Sequence, residues 1–328
     1  MNTTVKSLVY LQTYFLEELS KQEFYAKPAE LYDPIVYTLG LGGKRLRPVL
    51  SLMACDMFGG DYRDALNTAI GIELFHNFTL LHDDIMDDAP LRRGKETVFR
   101  RWDTNVAILS GDAMFVKAYQ YICKTPHAVL PSVLDVFNQT ALEVCEGQQY
   151  DMNFETLSDV SIPEYIQMIA FKTAVLLGAA LQVGAMIAEA SKDDANSIYQ
   201  FGLNLGIAFQ IQDDILDVFG QQEKVGKQKG GDILTNKKTF LYLKALEMAE
   251  GKSKDRLQYY FSTKDFDAQE KLSEVIAIYN EFEIKRHSES EKALYYNKAL
   301  TALDNIAISE EAKKPLLEFA QALMTRES

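Results

Sequence analysis

Apolar residues recur at three- and four-residue spacing through nearly the whole chain, while runs of strict alternation rich in Val, Ile and Thr are missing. That period belongs to a helix with one face turned toward a core, so the pattern predicts an all-α protein. Breaks marked by Gly, Pro, Ser and Asp fall at 40–43, 59–60, 89–94, 125–131, 153–163, 191–194, 220–235, 251–253, 262–267 and 286–290. Between them lie about a dozen helical stretches, several longer than twenty residues. No Gly/Ser- or Pro-rich linker divides the chain, so residues 1–328 read as one domain of packed helices.

Composition narrows the class. With 47% apolar and 25% charged residues the chain has the balance of a globular protein, and 34 basic against 47 acidic residues leave a formal charge of −13. That field repels nucleic acid and anionic lipid, so neither is an expected partner. A phosphorylated small substrate would need local cations or bridging metal ions against the same field. Cys55, Cys123 and Cys145 are widely spaced and form no Cys-x-x-Cys pair, and they read as reduced core residues. The opening residues contain no apolar core of a secretion signal, so the expected location is cytoplasmic. The most apolar stretch, 173–188, covers about 24 Å as a helix against a hydrocarbon core of about 30 Å. It reads as a buried central helix and not a membrane span.

Two segments carry candidate chemistry, His82-Asp83-Asp84-Ile85-Met86-Asp87-Asp88 and Gln210-Ile211-Gln212-Asp213-Asp214-Ile215-Leu216-Asp217. Each contains Asp-Asp-x-x-Asp at the end of an apolar helical pattern. The first and last Asp of each share a helix face one turn apart, where like charges repel unless a cation lies between them. They also oppose the helix dipole. A solvated acidic helix end would explain one such cluster. Two, each on an apolar helix, would frame one cavity if the helices face each other in a bundle, with carboxylates at its mouth. Oxygen ligands at this spacing suit Mg²⁺, which is commonly shared between one or two carboxylates and substrate phosphates.

Cations stand in matching places. Gly42-Gly43-Lys44-Arg45-Leu46-Arg47-Pro48 follows a glycine turn, and Lys44 and Arg47 would share one side if Pro48 and Val49 open a helix. Arg92 and Arg93 directly follow the first acidic cluster, and Lys224, Lys227, Lys229 and Lys237 follow the second in a long loop. Arg offers planar bidentate contacts to phosphate, and Lys a mobile point charge. Three further polar residues sit on apolar helices: His76, seven residues before Asp83; Lys172, beside Thr173; and Gln210. A charge such as Lys172 must there be paired or face a wet cavity, and any of the three could equally be structural.

The ordered motifs GGKRLRP, LLHDDIMDDAPLRRG, FKT, FQIQDDILDVFG and VGKQKGGDILTNKKT, from about Gly42 to Lys238, resemble those of the trans-isoprenyl diphosphate synthases, also called polyprenyl synthetases. The resemblance implies an all-α bundle around a deep central cavity, a homodimer, and condensation of an allylic diphosphate with isopentenyl diphosphate assisted by about three Mg²⁺. It also implies roles. Asp83, Asp87 and Asp213 would be metal ligands, with Asp84, Asp214 and Asp217 in or next to the coordination shell. Arg92, Lys172, Lys227 and Lys237 would hold the allylic diphosphate (dimethylallyl, geranyl or farnesyl), with Lys237 less sharply placed against Lys238. Lys44, Arg47, His76 and Arg93 would hold the diphosphate of isopentenyl diphosphate, and Thr173 and Gln210 would turn oxygens toward the developing allylic cation.

Product length would follow from what stands below Asp83 on its helix. Phe78 and Thr79 lie five and four residues before it, which puts Phe78 roughly 7.5 Å down the axis. Relatives that stop at C15 often carry an aromatic at one or both positions, or an insertion in the first Asp cluster. Here there is one aromatic, a small Thr and no insertion, which looks most like synthases making the C20 product, geranylgeranyl diphosphate. The C15 product, farnesyl diphosphate, is the alternative, and Phe75 would form a deeper floor if Phe78 points into the core. A class I terpene cyclase would leave GGKRLRP unexplained. A non-catalytic regulatory subunit would be expected to lack part of an Asp cluster or a diphosphate cation, and a divalent-ion buffer gives the cations no role.

Overall fold

The computed structural model describes residues 5–157, 159–220, 230–263 and 266–325. Helices α1 (Leu8–Ser20), α2 (Ala29–Gly40), α3 (Leu46–Met57) and α4 (Leu66–Met86) precede a hairpin of β1 (Leu91–Arg92) and β2 (Lys95–Glu96). Next come α5 (Val98–Arg101), α6 (Thr104–Ile122), α7 (Leu130–Thr156), α8 (Ile162–Ile169), a π-helical turn over Ala170–Ala174, α9 (Val175–Ile187) and α10 (Lys192–Phe219). The chain ends in α11 (Gly231–Leu234), α12 (Phe240–Met248), α13 (Gly251–Ser262), α14 (Ala268–Glu281), α15 (Ile284–Asp304) and α16 (Glu310–Met324). The all-α expectation holds.

Two compact units emerge, each assembled from three stretches of chain. One takes residues 1–138, 179–196 and 307–315, the other 139–178, 197–306 and 316–328. In the first, α4 packs on α3 and α6, α1 on α3, and α2 on α6. Its centre is α4, buried without interruption from Thr68 to Phe75. A methyl group on Gly71 would come within 2.8 Å of the Ile122 side chain, so a glycine lets α4 and α6 approach this closely. In the second unit, α12 packs on α8, α13, α14 and α15 around Tyr165, Met168, Ile211, Ile215, Val275 and Tyr279. Burying each large apolar side chain is worth roughly 1.5–3 kcal/mol. Ser161 and Glu164 form a reciprocal capping box with Pro163 in the first turn, so α8 starts where the sequence signals it.

Several local expectations change. The segment 89–94, read as a break, closes into the hairpin because Arg93 and Gly94 both take positive φ, 53° and 75°, as a two-residue type I′ turn requires. No break occurs at 286–290. The chain turns at Glu283 (φ 51°) and α15 then runs on to Asp304. Only Cys55 is a core residue, since Cys123 and Cys145 are exposed. The apolar helical run also starts earlier than its composition suggested. Ile162–Ile187 is 26 residues, long and apolar enough by those measures to cross a membrane, but 72% of its most apolar window is buried inside the protein. That surface is already covered by the fold, as in a core helix.

Candidate active site

In the first unit the last turns of α4 deliver the leading acidic cluster. Asp83 and Asp87 lie one turn apart on the same helix side, with Asp87 exposed at the helix end and its amide bonded to the Asp83 carbonyl at 2.8 Å. Asp84 turns inward and is buried. Both its oxygens accept from Arg92, whose Nε lies 2.8 and 2.9 Å away and whose Nη2 lies 2.6 Å from Oδ1. Burial pushes the Asp84 carboxyl above its usual range, and the Arg92 fork works against that rise. The hairpin presents Arg92 at this point, and Thr97 closes its base by donating to the Ala89 carbonyl at 2.8 Å.

The glycine turn behaves differently from the expectation. Helix α3 opens at Leu46 and not at Pro48, and Arg45 ahead of it is left-handed (φ 50°). Lys44 is therefore exposed in the turn before the helix and shares no helical face with Arg47. Gly43, at φ 124°, has the Arg93 guanidinium where a side chain would stand, 2.7 Å from a would-be Cβ, and Arg93 donates to the Gly42 carbonyl. Arg45 is wholly buried, paired with Glu73 and donating to the Leu39 carbonyl. Asn77 donates to the same Glu73 carboxylate at 2.6 Å.

Arg47 Nη1 lies 3.2 Å from His76 Nε2. A guanidinium only donates, so Nε2 is the acceptor and the ring is neutral with its proton on Nδ1. Loss of water, then the charges of Arg47, Arg93, Arg92 and Arg45, hold the His76 imidazole well below its ordinary value. The Arg47 Nε is buried with no hydrogen-bond partner among the described residues. Those four guanidinium groups act together against protonation of the one imidazole.

Phe78 stacks on Phe115 of α6, centroids 5.0 Å apart and planes 16° from parallel, and lies edge-on to His82 at 4.8 Å. Phe75 sits behind both, 5.7 Å from each. Thr79 donates to the His76 carbonyl at 2.9 Å.

The second unit holds the other set. Lys172 and Thr173 lie in the π turn, half-buried, and Lys172 Nζ pairs with Asp151 of α7 at 2.5 Å. Two glycines make room for the widened turn. A methyl on Gly147 would stand 2.2 Å from the Lys172 amide nitrogen, and one on Gly206 2.7 Å from the Ala174 Cα. Single π turns of this kind frequently mark functional sites.

On α10, Asp214 is buried with both oxygens engaged, one by the Tyr165 hydroxyl and the other by Gln210 Nε2 at 3.4 Å. Burial, reinforced by Asp232, pushes the Asp214 carboxyl up to about 7, while Tyr165, Lys237 and Gln210 pull it down. Asp213 and Asp217 are half-buried. Asp217 anchors the returning chain, its carbonyl accepting from the Gly230 amide at 2.8 Å and its carboxylate from the Asp232 amide at 3.1 Å. Lys237 stands near enough to stabilise the Asp214 charge. Lys238 instead donates to the Phe154 and Leu157 carbonyls at 2.5 and 2.6 Å, beside the end of α7. Lys227 lies outside the described residues.

Among the described residues no three His, Cys, Asp or Glu side chains converge into a ready-made metal cage. Mg²⁺ needs none, because it keeps waters and takes one or two carboxylates together with substrate phosphate. Asp87 is exposed and Asp83 and Asp213 are half-buried, an exposure that suits that role. Asp84 and Asp214 are buried, with both oxygens of each accepting from protein donors. The sequence pattern had not singled out Asp151, Tyr165, Arg45 or Glu73. For Asp151 the signal was a carboxylate four residues after a helical glycine, and for Glu73 a lone charge inside the apolar run of α4.

Residues 28–279 match the polyprenyl synthetase family. A geranylgeranyl diphosphate synthase of Sulfolobus acidocaldarius is 35% identical over 94% of this chain and 98% of its own. The crystal structure of a geranylgeranyl pyrophosphate synthase superposes with a TM-score of 0.93 at 47% identity, covering 100% of both chains. A polyprenyl synthase of Caulobacter crescentus, solved with calcium and isoprenyl diphosphate, gives 0.87 at 25% identity, again over 100% of both.

Proposed function

This chain belongs to the polyprenyl synthetase family, and from that premise we propose that it is a short-chain trans-prenyltransferase joining an allylic diphosphate to isopentenyl diphosphate, with geranylgeranyl diphosphate (C20) as product and farnesyl diphosphate (C15) as the alternative. The observation that carries the C20 reading is that, of the two positions five and four residues before Asp83, one is aromatic, Phe78, braced by Phe115, and the other is the small Thr79. Residues 1–328 act as one domain, since neither compact unit is a consecutive stretch of chain.

The residues divide the work by charge. Asp83, Asp87 and Asp213 hold the metal ions, and Arg92, Lys172 and Lys237 take the allylic diphosphate. Arg47, His76 and Arg93, with Lys44 at the rim, take the diphosphate of isopentenyl diphosphate. The neutral His76 donates from Nδ1, leaving the positive charge to the arginines. Mg²⁺, about three ions when bound, supplies charge neutralisation of the departing diphosphate. Lys172, held by Asp151, and Arg92, held by Asp84, add fixed positive charge where negative charge develops. Thr173 and the Gln210 oxygen face the allylic carbon as it becomes cationic, and the isopentenyl double bond attacks it. None of these side chains is a free general base, so the released diphosphate accepts the proton lost from the new chain. Apolar helix surface keeps water from the cation.

The chain works as a homodimer. Ile108, Leu109 and Val116 on α6 expose 41, 59 and 58% of their surface, and Leu109 and Val116 are two turns apart on one stripe. Its three unpaired cysteines suit the reducing cytosol.

The deciding experiment incubates the protein with Mg²⁺, labelled isopentenyl diphosphate and, separately, C5, C10 and C15 allylic diphosphates, then separates the dephosphorylated products. A dominant C20 alcohol is expected. A C15 stop would move the floor closer to Asp83, and no elongation from any starter by a folded protein would overturn the proposal.

A further inference from the structure

Lys271 on α14 is fully buried, an unusual position for a lysine. Its Nζ donates to the Asn236 side-chain oxygen and lies 4.0 Å from the Phe266 ring centroid and 5.5 Å from that of Phe261. Two aromatic faces and one amide oxygen thus surround a side chain that a leucine or methionine could replace at less cost in desolvation. Burial pulls the Lys271 ammonium down to about 8.

What the lysine holds is a turn. Asn236 is left-handed (φ 59°), a conformation Asn adopts more readily than most residues. The next amide, of Lys237, donates to the Asp232 carbonyl at 2.8 Å, and the Asp232 amide donates to the Asp217 carboxylate. The turn is therefore tied at one end to the second acidic cluster and at the other to α14. Lys237 leaves it toward Asp214, and Lys238 toward the end of α7.

We propose that Lys271 is a positioning residue for the prenyl transfer: its ammonium, clamped between Phe261 and Phe266, fixes Asn236 and thereby aims Lys237 at the allylic diphosphate. This rests on the assignment of Lys237 to that diphosphate. The lysine is buried and bonded to Asn236, so its effect passes through the turn.

The test is a double-mutant cycle read in steady-state kinetics on the full-length enzyme with Mg²⁺. Lys271→Met is expected to raise KM for the allylic diphosphate about tenfold with a much smaller change in kcat, the size of a lost buried hydrogen bond felt in substrate binding. Lys271→Arg, which can stack between the rings and still donate, restores most of the affinity. Lys237→Ala raises KM by itself, and the pair Lys271→Met/Lys237→Ala is no worse than Lys237→Ala alone. Should Lys271→Met fail to fold, Asn236→Gly, which keeps the left-handed turn and removes the acceptor, gives the same KM rise. Native KM in folded Lys271→Met or Asn236→Gly, or effects that simply multiply in the pair, would overturn the proposal. A native KM in Lys237→Ala would instead remove the assignment of Lys237 on which it stands.

Discussion

Arg92 grips Asp84 through a fork, its Nε shared between both carboxylate oxygens and Nη2 on one of them at 2.6 Å. Asp84→Asn keeps the shape and loses the charge that orients the guanidinium. The expected outcome is a fall in kcat/KM for the allylic diphosphate of about ten- to a hundredfold, with a stability loss of about 1–3 kcal/mol. Kinetics and thermal melts check both, and an unchanged KM would separate Arg92 from that substrate.

Asp214 sets a pH dependence opposite to that of most carboxylates. Its folded pKa, about 7, lies above the ordinary 3.8. Between those values the folded chain holds a proton that the unfolded chain has released, so this group's contribution to stability falls as pH rises through the window. The slope is at most about 1.4 kcal/mol per pH unit. In metal-free protein, melting temperatures followed from pH 5 to 8 should show a downward component that disappears in Asp214→Asn. An identical slope in the variant would contradict the assignment.

His76 contributes with the other sign. Burial and the surrounding arginines lower its folded pKa, so below about pH 6.5 the unfolded chain takes up a proton that the folded chain refuses, and stability is lost as pH falls. Imidazole resonances in an NMR titration are expected to stay in the neutral form through pH 6. His76→Ala, leaving Arg47 without its acceptor, should raise KM for isopentenyl diphosphate about tenfold while leaving KM for the allylic substrate nearly native.

Phe78 and Phe115 act as one stacked floor. Phe78→Ala is expected to shift products beyond C20 and to cost about 2–3 kcal/mol, less than a wholly buried phenylalanine. Phe115→Ala should shift products the same way, because it releases the ring that braces Phe78. Thr79→Phe should shorten them. Product chromatography decides, and an unchanged C20 from Phe78→Ala would move the floor to Phe75.

The linear sequence determined the all-α class and the two acidic clusters, and it offered the Lys and Arg residues near them as candidates, but not Asp151, Tyr165 or Glu73. These follow from helical period, spacing and residue chemistry, which are local properties of the chain. Tertiary structure alone decided which of those residues are supported and by what. The π turn at Lys172 depends on Gly147 and Gly206 standing where any side chain would collide with it, a relation between helices distant in sequence. Asp151 meets Lys172, Tyr165 meets Asp214, and Arg45 meets Glu73 only after packing brings helices together across 21, 49 and 28 positions. Even the start of α3, two residues earlier than Pro48 suggested, depends on a left-handed Arg45 whose buried guanidinium finds Glu73 and a carbonyl. Local pattern thus names the groups that do chemistry. Their orientation is set by desolvation and long-range pairing, whose energies exist only once the core has formed.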